Sequence, residues 1–296
     1  MQSDIKPSRA RRGSRGRKGN KRANATGLQQ IAWQVPKNTD TPIAPLPPEG
    51  VAAIHHTAMR ILEEVGVEFL NLEAVDTLRQ AGCTILNETR DGALVKMDRA
   101  FVMDKISHAP AKFFITPRNL DRQIIIGGQH MVFGSIASPP NCSDLDRGRR
   151  PGDRQSHQDL VKLSQFFNCI HFIGGYPVEP VDSHASVRHL DCLHDQLTLS
   201  DKVVHAYSLG AGRVDDVIEM VRIAGGLTEQ EFAQTPRMFT NINSTSPLKH
   251  DFPMLDGLMR LSRCGQPTIV TPFTLAGAMS PITLAGTVAQ SIAEAL

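Results

Sequence analysis

The chain has 296 residues, of which 41% are hydrophobic and 21% are charged, which suits one large folded domain or two ordinary ones. No apolar run reaches the roughly eighteen residues of a membrane-spanning helix, so the sequence predicts no membrane partner. The five cysteines are scattered, odd in number and without CxxC spacing. This pattern argues against a disulfide framework and predicts reduced thiols in a cytoplasmic protein.

The net charge of +2 conceals a strongly basic N-terminus. Residues 1–24 hold nine Lys and Arg against one acid, which leaves twenty-three against twenty-nine for residues 25–296. A segment this basic and this poor in apolar residues cannot bury a core, so we predict a disordered arm over residues 1–26. The arm is either a solubilising tail or a contact for RNA, DNA or anionic lipid. No RNA-binding motif supports a nucleic-acid partner.

Residues 27–129 are predicted to form a linker and a small N-terminal α+β extension. The proline-rich segment Pro42–Gly50 is typical of a stiff linker and ends where an amphipathic helix begins. Gly66 follows that helix and predicts its end. The predicted helices are Val51–Val65, Leu72–Gly82 and Ala100–His108, and the predicted strands are Cys83–Leu86, Ala93–Met97, Phe113–Thr116 and Gln123–Ile126.

From residue 130 onward, short β-branched runs alternate with amphipathic helical runs at a repeat of about thirty-five residues. Such repeats form parallel sheets, and rigid polar loops after every strand are typical of a (β/α)8 barrel. We therefore predict an α/β fold in which residues 130–296 form an incomplete TIM barrel of about five βα units. The predicted strands are His130–Phe133, Ile170–Gly174, Val203–Tyr207, Met238–Ile242 and Thr268–Thr271, and the predicted helices are His157–Phe167, His184–Leu199, Asp215–Gly225, Phe252–Gly265 and Pro281–Leu296.

Several familiar catalytic motifs are absent from the sequence: HExxH, a Cys/His quartet, GxGxxG after a strand and GxxxxGK[ST]. His184, His189 and His194 recur at a spacing that spreads them around a helix instead of aligning them as metal ligands. Surface or carbonyl-bonded histidines explain this spacing better than a metal site. We therefore predict no bound metal.

Polar and aromatic side chains follow each of the five predicted strands. In a barrel these positions converge on one mouth, where residues distant in sequence can contact one ligand. Ser, Asn and Thr beside proline also form ordinary turns and helix caps, so each such residue alone is ambiguous. Glu179 lies between Pro177 and Pro180, which fixes its direction and favours a functional role. The candidates are Ser135, Ser138, Asn141, Tyr176, Glu179, Tyr207, Ser208, Asn243, Ser244, Ser246, Thr271, Phe273 and Thr274.

The loop Asp144–Pro151, with the sequence DLDRGRRP, combines both signs of charge after the first predicted strand. It is either a clamp for an anion, a lid over the mouth or a solvated surface. The sequence does not choose among these three interpretations.

A series of motifs along residues 27–296 identifies a resemblance: MRILEEVGVEFLN, FGSIASPPNCSDLDRGRRPG, HFIGGYPVEPVD, LSDKVVHAYSLG, NSTSPL and TPFTLAGAMSPITLAGTVAQSIAEAL. In order and spacing this series resembles the trimethylamine methyltransferase family. Members are (β/α)8-barrel proteins that move a methyl group from a methylated amine to the cobalt of a corrinoid protein. They continue beyond the position of Leu296, so the resemblance implies an N-terminal fragment. The amino-acid sequences of these motifs resemble those of the bacterial branch of the family without pyrrolysine, whose members demethylate quaternary amines such as glycine betaine.

The resemblance implies one-carbon metabolism of the methanogenesis type, with a cobalamin carried by a partner protein and no cofactor bound tightly to this chain. Such an enzyme needs no nucleophile of its own, so no catalytic residue is assigned. It binds the cation, orients one methyl group and excludes water. Aromatic faces and carboxylates hold an N-methylated cation, and hydrogen-bond donors hold a betaine carboxylate. From position and chemistry we predict that Phe133, Tyr176, Glu179, Tyr207, Asn243, Ser246, Phe273 and Thr274 bind substrate.

A barrel that lacks three units exposes strand edges and apolar faces. We therefore expect the 296-residue chain to form a homo-oligomer or to aggregate. The missing units also leave open an alternative function, a truncated barrel that binds methylated amines or a corrinoid partner without turnover. A continuation of the reading frame with three more βα units would favour the enzyme.

Overall fold

The computed structural model describes residues 28–207 and 210–296. The predicted arm, residues 1–26, and the candidate Ser208 lie outside the described residues. The chain divides into two units at residue 31, and every helix and strand described below lies in the second unit, Ala32–Leu296. Within the described ranges, no helix combines the length and the apolar character needed to cross a bilayer.

The first part of the second unit is an α+β region, and every helix and strand predicted between residues 51 and 126 is present. Its elements are α1 (Pro48–Arg60), β1 (Val67–Phe69), α2 (Leu72–Gln80), β2 (Thr84–Leu86), β3 (Ala93–Lys96), α3 (Arg99–Ser107), β4 (Lys112–Ile115) and β5 (Ile124–Gly127). A π-helical turn, Ile61–Val65, continues α1 and ends at Gly66, whose φ of 89° suits glycine. The Asn71 and Asp98 side chains accept backbone N–H bonds and so fix the starts of α2 and α3.

The second part alternates helices with strands. Its elements are β6 (Asn141–Asp144), β7 (Gly148–Pro151), α4 (Arg154–Phe166), β8 (Phe172–Ile173), α5 (Arg188–Leu199), β9 (Val203–Tyr207), α6 (Ala211–Gly225), α7 (Glu229–Gln234), β10 (Phe239–Asn243), β11 (Lys249–His250), α8 (Phe252–Arg263), β12 (Thr268–Thr271) and α9 (Leu284–Ala295). All five helices predicted after residue 130 are therefore present, with ends that differ by a few residues.

A four-stranded parallel sheet has the order β8–β9–β10–β12, which is also the order along the chain. Helices connect these strands, so the predicted parallel βα units are confirmed for four of the five strands. Among the described residues the sheet is open, and the strands do not close into a barrel. The observed fold is a mixed α/β structure with several βα units.

The predicted strand His130–Phe133 is wrong. Only isolated bridges form here, one antiparallel between His130 and Lys37 and one parallel between Gly134 and Phe172. The segment still lies beside β8, since the His171 N–H donates to the Phe133 carbonyl at 2.7 Å and the Ser135 N–H donates to the Phe172 carbonyl at 3.3 Å. The ladder is interrupted where the Phe133 N–H donates to His171 Nδ1 at 2.9 Å instead of to a backbone carbonyl. The Phe172 ring occupies the space where a Cβ at position 134 would lie, so only glycine allows the remaining parallel contact.

The charged loop Asp144–Pro151 forms most of a β-hairpin, in which β6 pairs antiparallel with β7. The Asp144 carboxylate accepts bonds from the Arg147 backbone at 2.7 Å and from the Arg150 guanidinium at 2.6 Å. These bonds hold the pKa of Asp144 at about 2, with the Arg147 backbone bond as the main cause. Internal pairing involves three of the five charged side chains of the loop, Asp144, Arg147 and Arg150, and Leu145 at the tip is fully exposed.

A second four-stranded sheet joins the two parts of the chain, with the order β11–β1–β3–β2. Within this sheet β2 pairs antiparallel with β3, and β4 pairs antiparallel with β5 in a separate two-stranded sheet. Neither β1 nor β11 was predicted, because three and two residues are too few to show an alternation. Their parallel pairing places Glu68 beside Lys249 and brings the end of α9 near β11.

Side chains of β9 alternate between two apolar layers. Val204 and Ala206 pack with residues of α5, α6 and α8, including Leu193, Val217 and Leu261. Val203 belongs to a different cluster on the other face, which also contains Phe239, Ile115 and Ile124. By the period of two, His205 and Tyr207 lie on the same face as Val203. Tyr207 is therefore the last side chain of β9 on the face that carries Val203.

Candidate functional site

A cavity of about 290 Å³ lies where the carboxyl ends of β8 and β9 meet the starts of α5 and α6. The two strands are parallel, so the loops that follow them emerge at the same edge of the sheet. The cavity is near the lower end of the range for small-molecule sites, about 300–1,000 Å³. Its lining residues are Ser138, Tyr176, Glu179, Ala185, Arg188, His189, Tyr207 and Arg213.

The cavity contains both tyrosines of the chain. The rings of Tyr176 and Tyr207 lie 4.5 Å apart between centroids and are tilted by 60°. Burial raises the pKa of Tyr207 to about 12 and raises the pKa of Tyr176 as well, so both rings are neutral near pH 7. Gly175 has a φ of 48°, and a Cβ there would lie 2.5 Å from the Tyr207 hydroxyl. A glycine at this turn therefore allows the two rings to approach.

Two loops are tied together beside the tyrosines. The Ser138 N–H donates to the Tyr176 carbonyl at 2.6 Å, and the Glu179 N–H donates to the Pro139 carbonyl at 2.9 Å. These bonds fix the backbone from which the Glu179 side chain extends. The φ of 57° at Ser138 is unusual for a residue other than glycine, and the cross-loop bonds hold it there.

The Glu179 carboxylate is already paired. It accepts from the Arg188 guanidinium at 2.5 Å, and the same guanidinium donates to the Ser183 carbonyl at 2.8 Å. Both side chains are about four-fifths buried, with exposed fractions of 24% and 21%. The Glu179 side chain has a fixed direction, as expected, but it points to an arginine nine residues later in the chain. Much of its negative charge is therefore cancelled before a cation enters.

His189 departs from its prediction as a surface or carbonyl-bonded histidine. Its side chain is nine-tenths buried, and its Nε2 lies 2.7 Å from the Asp216 carboxylate. His184 and His194 are exposed, as predicted. The helix α5 begins at Arg188, so position 189 lies in its first turn and faces the cavity.

Three polar atoms around the cavity are buried and make no well-aligned hydrogen bond in the described part of the chain: Ser138 Oγ, Tyr207 OH and His189 Nδ1. Leaving a buried polar atom unpaired costs about 1–3 kcal/mol. Three such atoms around one cavity are typical of a site that is completed by a ligand or by ordered water.

Three of the eight predicted substrate-binding residues line this cavity, namely Tyr176, Glu179 and Tyr207. Phe133 is 45% exposed and faces the His171 ring, and Phe273 is 53% exposed. The remaining predicted residues lie near the ends of β10 and β12. The assignment of all eight to substrate stays a prediction.

Two of the predicted residues near the ends of β10 and β12 are bonded to side chains outside the cavity. Asn243 Oδ1 accepts from the Thr271 hydroxyl, and Ser246 donates to the Glu294 carboxylate at 2.6 Å. Thr274 is partly buried. Asn241 on β10, which was not among the candidates, pairs with Tyr207 on β9 and with Ile269 on β12, so the three lie in one row across the sheet, but Asn241 does not line the cavity.

Within residues 28–207 and 210–296, no three His, Cys, Asp or Glu side chains converge as ligands of one metal ion would. Burial raises the pKa of the Cys192 thiol, behind the cavity, to about 12 and keeps it protonated. The cavity therefore offers ring faces, hydroxyls, guanidinium groups and one paired carboxylate. These groups can bind and orient a small charged molecule.

Comparison with known proteins gives one family. The profile of the family described as Trimethylamine methyltransferase (MTTB) matches residues 11–296. A glycine betaine methyltransferase of Desulfitobacterium hafniense strain Y51 is 34% identical over 246 residues, which cover 83% of this chain and 50% of that protein.

Two further relatives are more distant. A trimethylamine methyltransferase MttB of D. hafniense strain DCB-2 is 26% identical, over 84% of this chain and 49% of its own length. A proline betaine:corrinoid methyltransferase of Eubacterium limosum is 23% identical, over 83% of this chain and 51% of its own length. The chain therefore spans about half the length of the curated relatives that it matches.

Proposed function

Because this chain belongs to the trimethylamine methyltransferase family, we propose that the protein containing it moves a methyl group from a methylated amine to the Co(I) of a corrinoid carried by a partner protein. The relatives are named for trimethylamine, glycine betaine and proline betaine, and one name includes the corrinoid. The methyl acceptor supplies a strong nucleophile, so this chain need not supply one.

The observation that carries the proposal is the pair of tyrosine rings at the carboxyl end of the parallel sheet. A methylated ammonium binds the face of an aromatic ring through the ring quadrupole, and the contact strengthens when water is excluded. The buried, neutral rings of Tyr176 and Tyr207 suit this role. They would hold the cationic nitrogen and direct one methyl group toward the acceptor.

A quaternary or protonated amine is a good methyl donor, because the positive charge on nitrogen is lost as the carbon–nitrogen bond breaks. For a quaternary substrate the leaving group is a neutral tertiary amine, so no proton has to be delivered. The residues of this chain then have three tasks: to bind the cation, to fix the angle of the methyl group and to keep water away. No residue is assigned as an acid or a base.

We also propose that the complete protein is a TIM barrel. The sheet order β8–β9–β10–β12 repeats the chain order, as the consecutive strands of a barrel do. About half of each relative lies outside the matched region, which is enough length for the remaining βα units. The boundaries at residues 26 and 129, the cytoplasmic location and the homo-oligomer stay predictions.

The test is methyl transfer by the complete gene product. We expect cob(I)alamin, or a cognate corrinoid protein, to be methylated with glycine betaine, a carnitine-like amine or trimethylamine as donor, without added zinc or S-adenosylmethionine. The change in visible absorbance of the corrinoid measures the reaction. If none of the three amines methylates cobalt but one still binds, the non-catalytic alternative is favoured.

We expect Tyr176→Ala to weaken binding of the methylated amine about tenfold to thirtyfold, because a desolvated cation–π contact contributes up to about 2 kcal/mol. Tyr176→Phe is the matched control, since it keeps the ring and removes only the hydroxyl, and it should bind within about threefold of the wild type. Titration calorimetry gives both affinities. Equal losses in the two variants would show that the ring face does not hold the cation.

A further inference from the structure

Building on the proposed function, we propose that Arg213, Ser138 and Tyr207 form an anion subsite in the cavity and that the substrate is an amine that also carries a carboxylate. The cation would lie against the Tyr176 ring, and the carboxylate would lie at the opposite polar wall. The chain would then select betaine-type zwitterions over trimethylamine.

The first argument is the balance of charge. Three charged residues line the cavity, and two of them, Glu179 and Arg188, neutralise each other at 2.5 Å. Arg213 forms no ion pair within the described residues, and its one hydrogen bond, to the Ala185 carbonyl, is long at 3.4 Å. A cavity built for a simple cation would not keep an unpaired guanidinium in its wall. A zwitterion gives that guanidinium a partner.

The second argument is the pair of buried hydroxyls. Ser138 Oγ and Tyr207 OH are shielded from solvent, and neither donates a hydrogen bond to a described side chain or backbone group, although the Tyr176 N–H lies close to the Tyr207 oxygen. Each hydroxyl can donate one hydrogen bond, and a carboxylate accepts several. A trimethylammonium group accepts none, so trimethylamine would leave both hydroxyls without an acceptor. A carboxylate satisfies them together with Arg213.

The third argument is the start of one helix. The helix α6 begins at Ala211, beside the cavity, and none of the described side chains caps its start. The first N–H groups of a helix carry a partial positive charge and favour an anion. His189 adds an independent sign of a ligand, because its Nδ1 is buried and unpaired in the same wall.

Titration calorimetry on the complete gene product, without corrinoid, tests the subsite with three probes. Glycine betaine carries the cation and the carboxylate, betaine amide replaces the carboxylate by a neutral group of the same shape, and tetramethylammonium carries the cation alone. The wild type should bind glycine betaine at least about tenfold more tightly than betaine amide, because a hydrogen bond to a charged group contributes that much.

Arg213→Met should weaken the binding of glycine betaine about tenfold to thirtyfold. The affinity for tetramethylammonium should stay unchanged or increase. Arg213→Lys should keep most of the preference, because it retains the charge. Arg90→Met is the matched control, since it removes one arginine that is 92% exposed and outside the cavity. Should Arg213→Met fail to fold by circular dichroism, Tyr207→Phe gives the same test with one hydroxyl removed.

Two results would overturn the subsite: a wild type that binds betaine amide as tightly as glycine betaine, or an Arg213→Met protein that loses affinity for all three probes equally. The proposed function can fail independently of the subsite. If glycine betaine binds in a way that depends on Arg213 but no methyl group is transferred to cobalt, the proposed activity is wrong and the subsite is supported. If methyl transfer occurs but binding shows no preference for a carboxylate, the activity is supported and the subsite is wrong.

Discussion

Glu294→Ala should destabilise the protein by about 3–5 kcal/mol, because it leaves several buried donors without an acceptor. The Glu294 side chain is 2% exposed and accepts from four groups. Its Oε2 accepts hydrogen bonds from the hydroxyls of Ser244 and Ser246, at 2.5 and 2.6 Å. Its Oε1 accepts hydrogen bonds from the Leu248 N–H and the Gln290 amide, both at 2.8 Å.

These bonds connect α9 to the turn before β11. Leu248 has a φ of 51°, a conformation that costs a leucine about 1 kcal/mol or more, and its bond to Glu294 holds it there. The next residue, Lys249, pairs with Glu68 on β1. Loss of the carboxylate should therefore loosen the contact between the N-terminal region and the parallel sheet as well as the turn.

The free energy of unfolding in urea, followed by circular dichroism, measures the effect. Glu294→Gln keeps the volume and one acceptor oxygen, so we expect a smaller loss of about 1–3 kcal/mol. Glu49→Ala removes an exposed carboxylate from the first turn of α1 and should change stability by no more than about 1 kcal/mol. If Glu294→Ala and Glu49→Ala lowered the free energy of unfolding by the same amount, the buried network would have no role in stability.

The parallel sheet could be predicted because its signal repeats. Strands at 203–207 and 268–271 have the predicted ends, and the helices between the strands carry a clear apolar face. Isolated features were harder to predict. The stretch 130–133 has the composition of a strand, but a histidine 38 residues away takes its N–H group. No local pattern contains that bond.

The site shows the same division. Tyr176, Glu179 and Tyr207 were predicted from their places after strands, and parallel geometry does bring them together. The pairing of Glu179 with Arg188 depends on how the loop folds back onto the first turn of α5, which no spacing rule fixes. The carboxylate of Glu294 meets the Ser244 hydroxyl fifty residues away. A lone glutamate in the apolar run SIAEAL was the available signal for that network.

Glu179→Gln should weaken binding of a purely cationic probe, tetramethylammonium, by about thirtyfold to a hundredfold. The reason is the partner that the substitution leaves behind. Arg188 also donates to the Ser183 carbonyl at 2.8 and 3.2 Å, so it should stay in place when Glu179 is neutralised. The cavity would then contain two unpaired guanidinium groups. Repulsion between unit charges 6–8 Å apart is about 2–3 kcal/mol at an effective dielectric constant of about 20.

A double-mutant cycle separates this effect from direct contact between Glu179 and the cation. Arg188→Gln combined with Glu179→Gln restores neutrality, so most of the lost affinity for tetramethylammonium should return if Glu179 acts by neutralising Arg188. If the double variant binds as weakly as Glu179→Gln alone, Glu179 contacts the cation itself. Glycine betaine should lose less affinity than tetramethylammonium in Glu179→Gln, because its carboxylate gains from the freed Arg188. Titration calorimetry with both ligands on the wild type, the two single variants and the double variant measures the cycle. An unchanged affinity in Glu179→Gln would show that this ion pair has no role in binding.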